Sequence, residues 1–160
     1  MNSHTKVERT SDREHVATRT INGPARLVFE AWTTPELTMR WWTPKSFGIT
    51  FLSCEMDVRT GGAYRFVFSH ASSEQPMAFF GRYIDVIPAS RLVWTNEEDA
   101  DGPLTTVTFE EEDGKTRVAV QDLYASKEAF DYAIATGSTG AWPQQFEQLD
   151  DLLTTLDSSV

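Results

Sequence analysis

The sequence is short of cysteine, of basic charge and of long apolar runs, and each shortage closes a class of explanation. Cys54 is the one cysteine in 160 residues, so neither an intrachain disulfide framework nor a Cys-x-x-Cys metal knuckle can form. Its neighbours Leu52, Met56 and Val58 give it an inert packing role. The three histidines, His4, His15 and His70, have no ligand spacing, and no metal or other cofactor is expected. Lys and Arg total 14 against 24 Asp and Glu, a net charge of −10, which argues against a nucleic-acid partner because phosphate backbones need clustered cations. No apolar stretch approaches the roughly 18 residues of a membrane helix. Residues 1–13 (MNSHTKVERTSDR) hold no signal-peptide core, and neither end carries a lipidation motif. The expectation is a cytoplasmic protein with no membrane partner.

What is present is ordinary globular material, 40% apolar and 24% charged. The length suits a flexible polar tail over 1–13 followed by a single domain over 14–157. Glu14 to Ile21 reads as a strand, stopped by Asn22-Gly23-Pro24. Ala25, Val28, Phe29 and Trp32 then recur at helical spacing. Thr34 before Pro35 predicts the cap of a second short helix, with Leu37 and Trp41 inward and Pro44 closing it. Six segments follow with β character and short turns: Ile49–Arg59, Ala63–His70, Met77–Ile87, Arg91–Thr95, Leu104–Glu111 and Thr116–Tyr124. Asp113-Gly114 is the strongest hairpin signal among them. Ser126 caps a short helix through Phe130 and Ile134, and the 136–140 run Thr-Gly-Ser-Thr-Gly interrupts it. A longer helix from about Trp142 to Leu156 places Trp142, Phe146, Leu149, Leu153 and Leu156 on one stripe. One long amphipathic helix beside seven strands is buried most simply by a sheet that curls around it.

Alternation in the Ala63–His70 strand turns Tyr64, Phe66, Phe68 and His70 to one face. Gly81 leaves either a bend or a gap where another group approaches. A single helix fills only part of so curved a sheet, so the interior should keep a small-molecule cavity. The expected lining is Trp41, Tyr64, Phe66, Phe68, Phe79, Trp94, Phe109, Phe130, Trp142 and Phe146, with His70 and Tyr83 as polar handles. Glu55 or Asp57 should pair with Arg65 across a hairpin as a register device.

Three blocks, Val28-Phe29-Glu30-Ala31-Trp32-Thr33-Thr34-Pro35-Glu36-Leu37, Arg40-Trp41-Trp42-Thr43-Pro44 and Asp57-Val58-Arg59-Thr60-Gly61-Gly62-Ala63-Tyr64, resemble the heat-shock-90 ATPase activator-like family of the SRPBCC superfamily of START-like, helix-grip proteins. Gly81 to Pro88 with Arg91-Leu92-Val93-Trp94-Thr95, and the Trp142 to Leu149 segment, continue the likeness. It spans about residues 14–157 and departs at Ala141, where a glycine is common. The resemblance implies an α+β fold: a curved seven-stranded antiparallel sheet wrapped around a long C-terminal helix, with two short helices between the first two strands. That scaffold hosts many functions.

Three functions follow as expectations. The first is binding of a small, largely apolar or aromatic ligand between the sheet and the last helix. The second is an enzyme, a cyclase or hydrolase, with His70 or Asp122 as acid or base. The third is a chaperone-activator-like or other protein-interaction module that uses the acidic hairpin end, Glu97, Glu98, Asp99, Asp101 and Glu110 to Asp113.

Overall fold

A computed structural model describes residues 5–43, 46, 48–70, 74–97, 102–135 and 142–158. The expectations placed on His4, Pro44, the 136–140 run, Ala141, Glu98, Asp99 and Asp101 lie outside these residues. In chain order the elements are β1 (Lys6–Arg9), β2 (Glu14–Ile21), α1 (Ala25–Thr33), α2 (Pro35–Trp41), β3 (Ile49–Met56), β4 (Ala63–His70), β5 (Met77–Ile87), β6 (Arg91–Thr95), β7 (Leu104–Glu112), β8 (Lys115–Leu123), α3 (Lys127–Ala135) and α4 (Trp142–Ser158).

The strands form one antiparallel sheet in the order β1-β2-β8-β7-β6-β5-β4-β3. Strands β3 to β8 make a meander, and β2 returns to lie beside β8. The sheet has eight strands where seven were expected, because Lys6–Arg9 of the presumed tail pairs with the outer edge of β2, Lys6 opposite Thr18 and Arg9 opposite His15. All four β1 residues are exposed, so no apolar alternation marks the strand in the sequence. Arg9 holds its end instead: the guanidinium lies 4.4 Å from the centre of the Phe130 ring and 3.1 Å from Asp131.

The Asp113-Gly114 turn is the two-residue hairpin its sequence predicts, both residues at positive φ, 55° and 77°. Ser126 caps α3 by accepting the Ala129 amide. Thr34 makes no side-chain cap on α2. Pro35 has no amide to offer, and the Leu37 and Thr38 amides bond the Thr34 carbonyl instead. Glu55 and Arg65 do sit opposite each other, but the ion pair that forms is the local one, Arg59 with Asp57 at 3.0 Å. β3 ends at Met56, so Asp57 is already in the turn.

Phe146, Leu149, Leu152 and Leu153 of α4 share one core with Ala17 and Ile21 of β2, Tyr64, Phe66 and Phe68 of β4, and Val28 and Trp32 of α1. Asp150 fixes the depth of α4: one carboxylate oxygen accepts the Asn22 amide at 2.9 Å and the other lies 3.2 Å from Arg19. The first turn of α1 is held from the far hairpin, where Glu111 accepts the Ala25 amide at 2.8 Å, a carboxylate at a helix N-terminus.

Candidate functional site

Between the inner face of β3–β6 and the two short helices lies a hollow. The sheet supplies Met56, Tyr64, Phe66, Phe79, Tyr83 and Trp94, with Asn96 just past β6, while Trp32 and Thr38 enter from α1 and α2 and Trp42 from the end of α2. None of the ten is charged. Counting every gap between the walls and the open mouth, the hollow is ≈ 380 Å³, but the space open to the centre of a water molecule is only ≈ 20 Å³. That is room for about one water, so a larger guest must displace part of the wall. Phe79, 42% exposed, is the wall residue that faces solvent.

The helical wall is built on one carbonyl. Ala31 oxygen accepts both the Trp41 indole N–H at 2.8 Å and the Thr38 hydroxyl at 3.0 Å, which locks α2 onto the end of α1. From α4, Gln145 donates to the Trp42 carbonyl, and Gln148 to the carbonyls of Trp41 and Thr43. The carbonyls at the end of α2, which have no partner within the helix, thereby gain one. On the sheet side the Tyr64 hydroxyl donates to the Thr95 carbonyl at 2.7 Å, and the Asn96 amide donates to the Pro103 carbonyl and the Thr105 hydroxyl.

Trp32 is the centre of the site. Its ring lies 4.7 Å from that of Trp41 and 6.0 Å from those of Trp42, Trp94 and Trp142, so all five tryptophans of the chain meet there. It is 3% exposed, yet its Nε1–H has no hydrogen-bond acceptor among the described residues. A buried donor left in this state costs about 1–3 kcal/mol.

Of the expected lining residues, Tyr64, Phe66, Phe79, Tyr83 and Trp94 line the hollow. Trp41, Phe68, Phe109 and Phe146 are core side chains behind it. Trp142 stacks on Trp32 at 24° from the start of α4. Phe130 belongs to a separate cluster with Tyr124 and Ala133 under α3. His70 closes β4 opposite Ile49, away from the wall. Trp32, Trp42, Thr38, Met56 and Asn96 were not foreseen. For Trp32 the available signal is its helical spacing with Ala25, Val28 and Phe29, which puts it on an inner face. Trp42 follows Trp41 directly and lies off the stripe. Burial pushes the Tyr83 phenol above its usual range, with the nearby Cys54 sulfur adding to it. Burial, then Glu36, pushes the Cys54 thiol up to about 11, so at neutral pH it is an inert thiol.

Behind the hollow runs a buried polar row. Thr105 receives the Asn96 amide and donates to Asp122 at 2.6 Å. The other Asp122 oxygen lies 3.2 Å from His15 Nε2, off line for a hydrogen bond. Asp122 faces the interior but is not part of the wall. Among the described residues no group of three or more His, Cys, Asp or Glu could hold a metal ion, and no helix is long and apolar enough to cross a membrane.

An antiparallel sheet gripping a C-terminal helix, with two short helices roofing an uncharged aromatic hollow, defines the START-like helix-grip class. The chain belongs to the family described as activator of Hsp90 ATPase homolog 1-like protein, whose family model matches residues 22–154. Among solved structures it is similar to a protein from Rhodobacter sphaeroides, with 22% identity over 96% of this chain and 99% of that one and a TM-score of 0.86. It is also similar to a protein from Nitrosomonas europaea, with 20% identity, 94% and 99% coverage and a TM-score of 0.84. A Mycobacterium smegmatis protein matches at 22% identity, 97% and 99% coverage and a TM-score of 0.81. At these identities the likeness is one of fold. No curated protein matches the chain.

Proposed function

We propose that the chain binds a small, largely apolar, aromatic-sized molecule in the hollow centred on Trp32. The observation that supports this reading is the wall itself: ten uncharged residues, seven of them aromatic rings from β4–β6, α1 and the end of α2, around an open-mouthed hollow. A protein interior is ordinarily packed to crystal density, and apolar concavities with a few polar groups are the usual form of a small-molecule site.

The two rival readings have less support. The groups expected to do acid-base work, His70 and Asp122, stand outside the wall, whose ionisable members are the phenols of Tyr64 and Tyr83. At the acidic hairpin end, Glu111 holds the α1 amide, Glu110 faces Arg117 and Glu112 faces Lys115 across the hairpin. Opposite charges in register reduce the field a basic partner would meet. The family description names a chaperone ATPase activator, and binding in the hollow is a separate property from any such partnership.

The test is native mass spectrometry of the protein purified from its own host, alongside titration of its tryptophan emission with neutral naphthalene-sized probes. A mass excess that vanishes on unfolding, or saturable quenching of the five-tryptophan cluster, is the expected result. A bare mass together with unchanged emission across the probe series would overturn the reading.

A further inference from the structure

The hollow has a polarity pattern that selects among apolar molecules, and this inference rests on the binding reading above. Several of its side-chain donors are already engaged within the protein. The Thr38 proton goes to the Ala31 carbonyl, the Tyr64 proton to the Thr95 carbonyl, and both protons of the Asn96 amide to Pro103 and Thr105. The indole N–H of Trp32, a wall residue only 3% exposed, meets no acceptor among the described residues. An indole nitrogen donates only, so what would satisfy it is a lone pair.

Among the described residues the wall carries no formal charge: none of the ten is Lys, Arg, His, Asp or Glu. A carboxylate or phosphate seated there would lose its hydration with no counter-charge to replace it. A quaternary ammonium has aromatic faces to meet, but it brings no lone pair for the indole. The rings themselves favour a flat unsaturated guest over a flexible alkyl chain.

We infer that the hollow takes an uncharged, flat, ring-bearing molecule with an oxygen acceptor, a carbonyl in the simplest case, received by the Trp32 N–H. Phe79, the exposed wall residue, is the side chain such a guest displaces on entry. The acceptor leads and reaches the tryptophan cluster, while the rest of the ring system lies along Phe66, Tyr64 and Trp94.

Three probes of one size separate the components of this inference: 2-acetylnaphthalene, its hydrocarbon isostere 2-isopropenylnaphthalene, and 2-naphthoate. By transfer from water alone the hydrocarbon should bind best, since it is the most apolar. The inference requires the opposite order, with the ketone about fivefold or more tighter than the hydrocarbon, a typical net worth of one buried hydrogen bond, and the naphthoate weakest. In Trp32→Phe, which keeps an aromatic ring and removes the donor, the ketone's advantage should vanish and the hydrocarbon should lead. In Tyr83→Phe the ketone's advantage should persist. Should Trp32→Phe fail to fold, the carbonyl stretch of the bound ketone in the native protein gives the same answer, by a shift to lower frequency than in hexane.

Equal or hydrocarbon-first binding in the native protein, or an unshifted carbonyl, overturns the acceptor assignment and leaves the apolar site standing. Naphthoate that matches the ketone overturns the neutral class. Failure of all three to bind overturns both this inference and the binding reading beneath it.

Discussion

Gly81 shows how much of the site rests on single atoms. A Cβ built there would stand 2.1 Å from the Thr95 carbonyl oxygen, the same oxygen that receives the Tyr64 hydroxyl. The missing side chain lets the end of β6 close over β5, and that closure orients a ring of the cavity wall. Gly81→Ala must push the carbonyl away and break the Tyr64 bond with it. The expected loss is about 2–3 kcal/mol, as for overpacked core positions, read as a lower urea midpoint at unchanged slope. A midpoint within error of the native protein would show that the strands can part here without strain. The same residue illustrates what the chain discloses unaided. A glycine inside a strand signals a gap or a close approach, and here it is a close approach. The choice between them depended on where β6 ends, a tertiary fact. Strand residues such as Tyr64 and Phe66 were readable because period-two alternation assigns a face directly. Thr38 and Trp42 were not, since which side of a seven-residue helix meets a cavity is decided by what it packs against.

At the scale of elements, α4 is held by polar contacts that its apolar stripe does not predict. Phe146, Leu149 and Leu153 bury the helix, but its polar residues set its position: Gln145 and Gln148 hold the end of α2, and Asp150 holds the Asn22 amide and Arg19. Read by periodicity, those glutamines and that aspartate are a solvated face. They are partners because the end of α2 and the loop after β2 present unpaired backbone groups at that height, which no helical wheel reveals. Asp150→Ala leaves a partly buried guanidinium and an amide without their acceptor. The expected cost is about 2 kcal/mol, with the largest loss of amide hydrogen-exchange protection in α4 and at Asn22. Loss confined to the β1 edge would show instead that the helix is held by its stripe alone. β1 makes the converse point. It was hidden because edge pairing is a backbone matter, and four exposed side chains carry no signal of it.

For the whole molecule, the proton-holding groups define the pH range of the fold. On the acid side Glu14, Glu97 and Asp131 sit below the usual carboxylate range, Glu14 through bonds from Thr10 and Gln121, Glu97 through Thr95 and Arg82, and Asp131 through Lys127 and Arg9. Their contribution is present above the unfolded values near pH 4 and is lost as pH falls through the lowered ones. Glu97 is exposed and Glu14 and Asp131 are only partly covered, so this flank should be shallow. The alkaline flank is different in kind. Burial raises the Cys54 thiol from 9.0 to about 11 and holds the Tyr83 and Tyr124 phenols above 10.0, while Asp131 raises Lys127 above 10.5. From pH 9 upward the unfolded chain releases protons that the folded chain retains, so stability must fall as pH rises. The thermal midpoint should therefore be level from about pH 5 to 9 and then decline, with Cys54 responsible for the onset. After discounting for its half exposure, that first segment is on the order of 1–2 kcal/mol. Cys54→Ala shifts the level at every pH through lost packing, so the diagnostic quantity is slope: the decline should start nearer pH 10 in the variant. Growing negative charge on a chain already at −10 also weakens the fold at high pH, but it does so equally in both proteins. An onset near pH 9 in both would assign the alkaline limit to that repulsion and remove the buried thiol from the account.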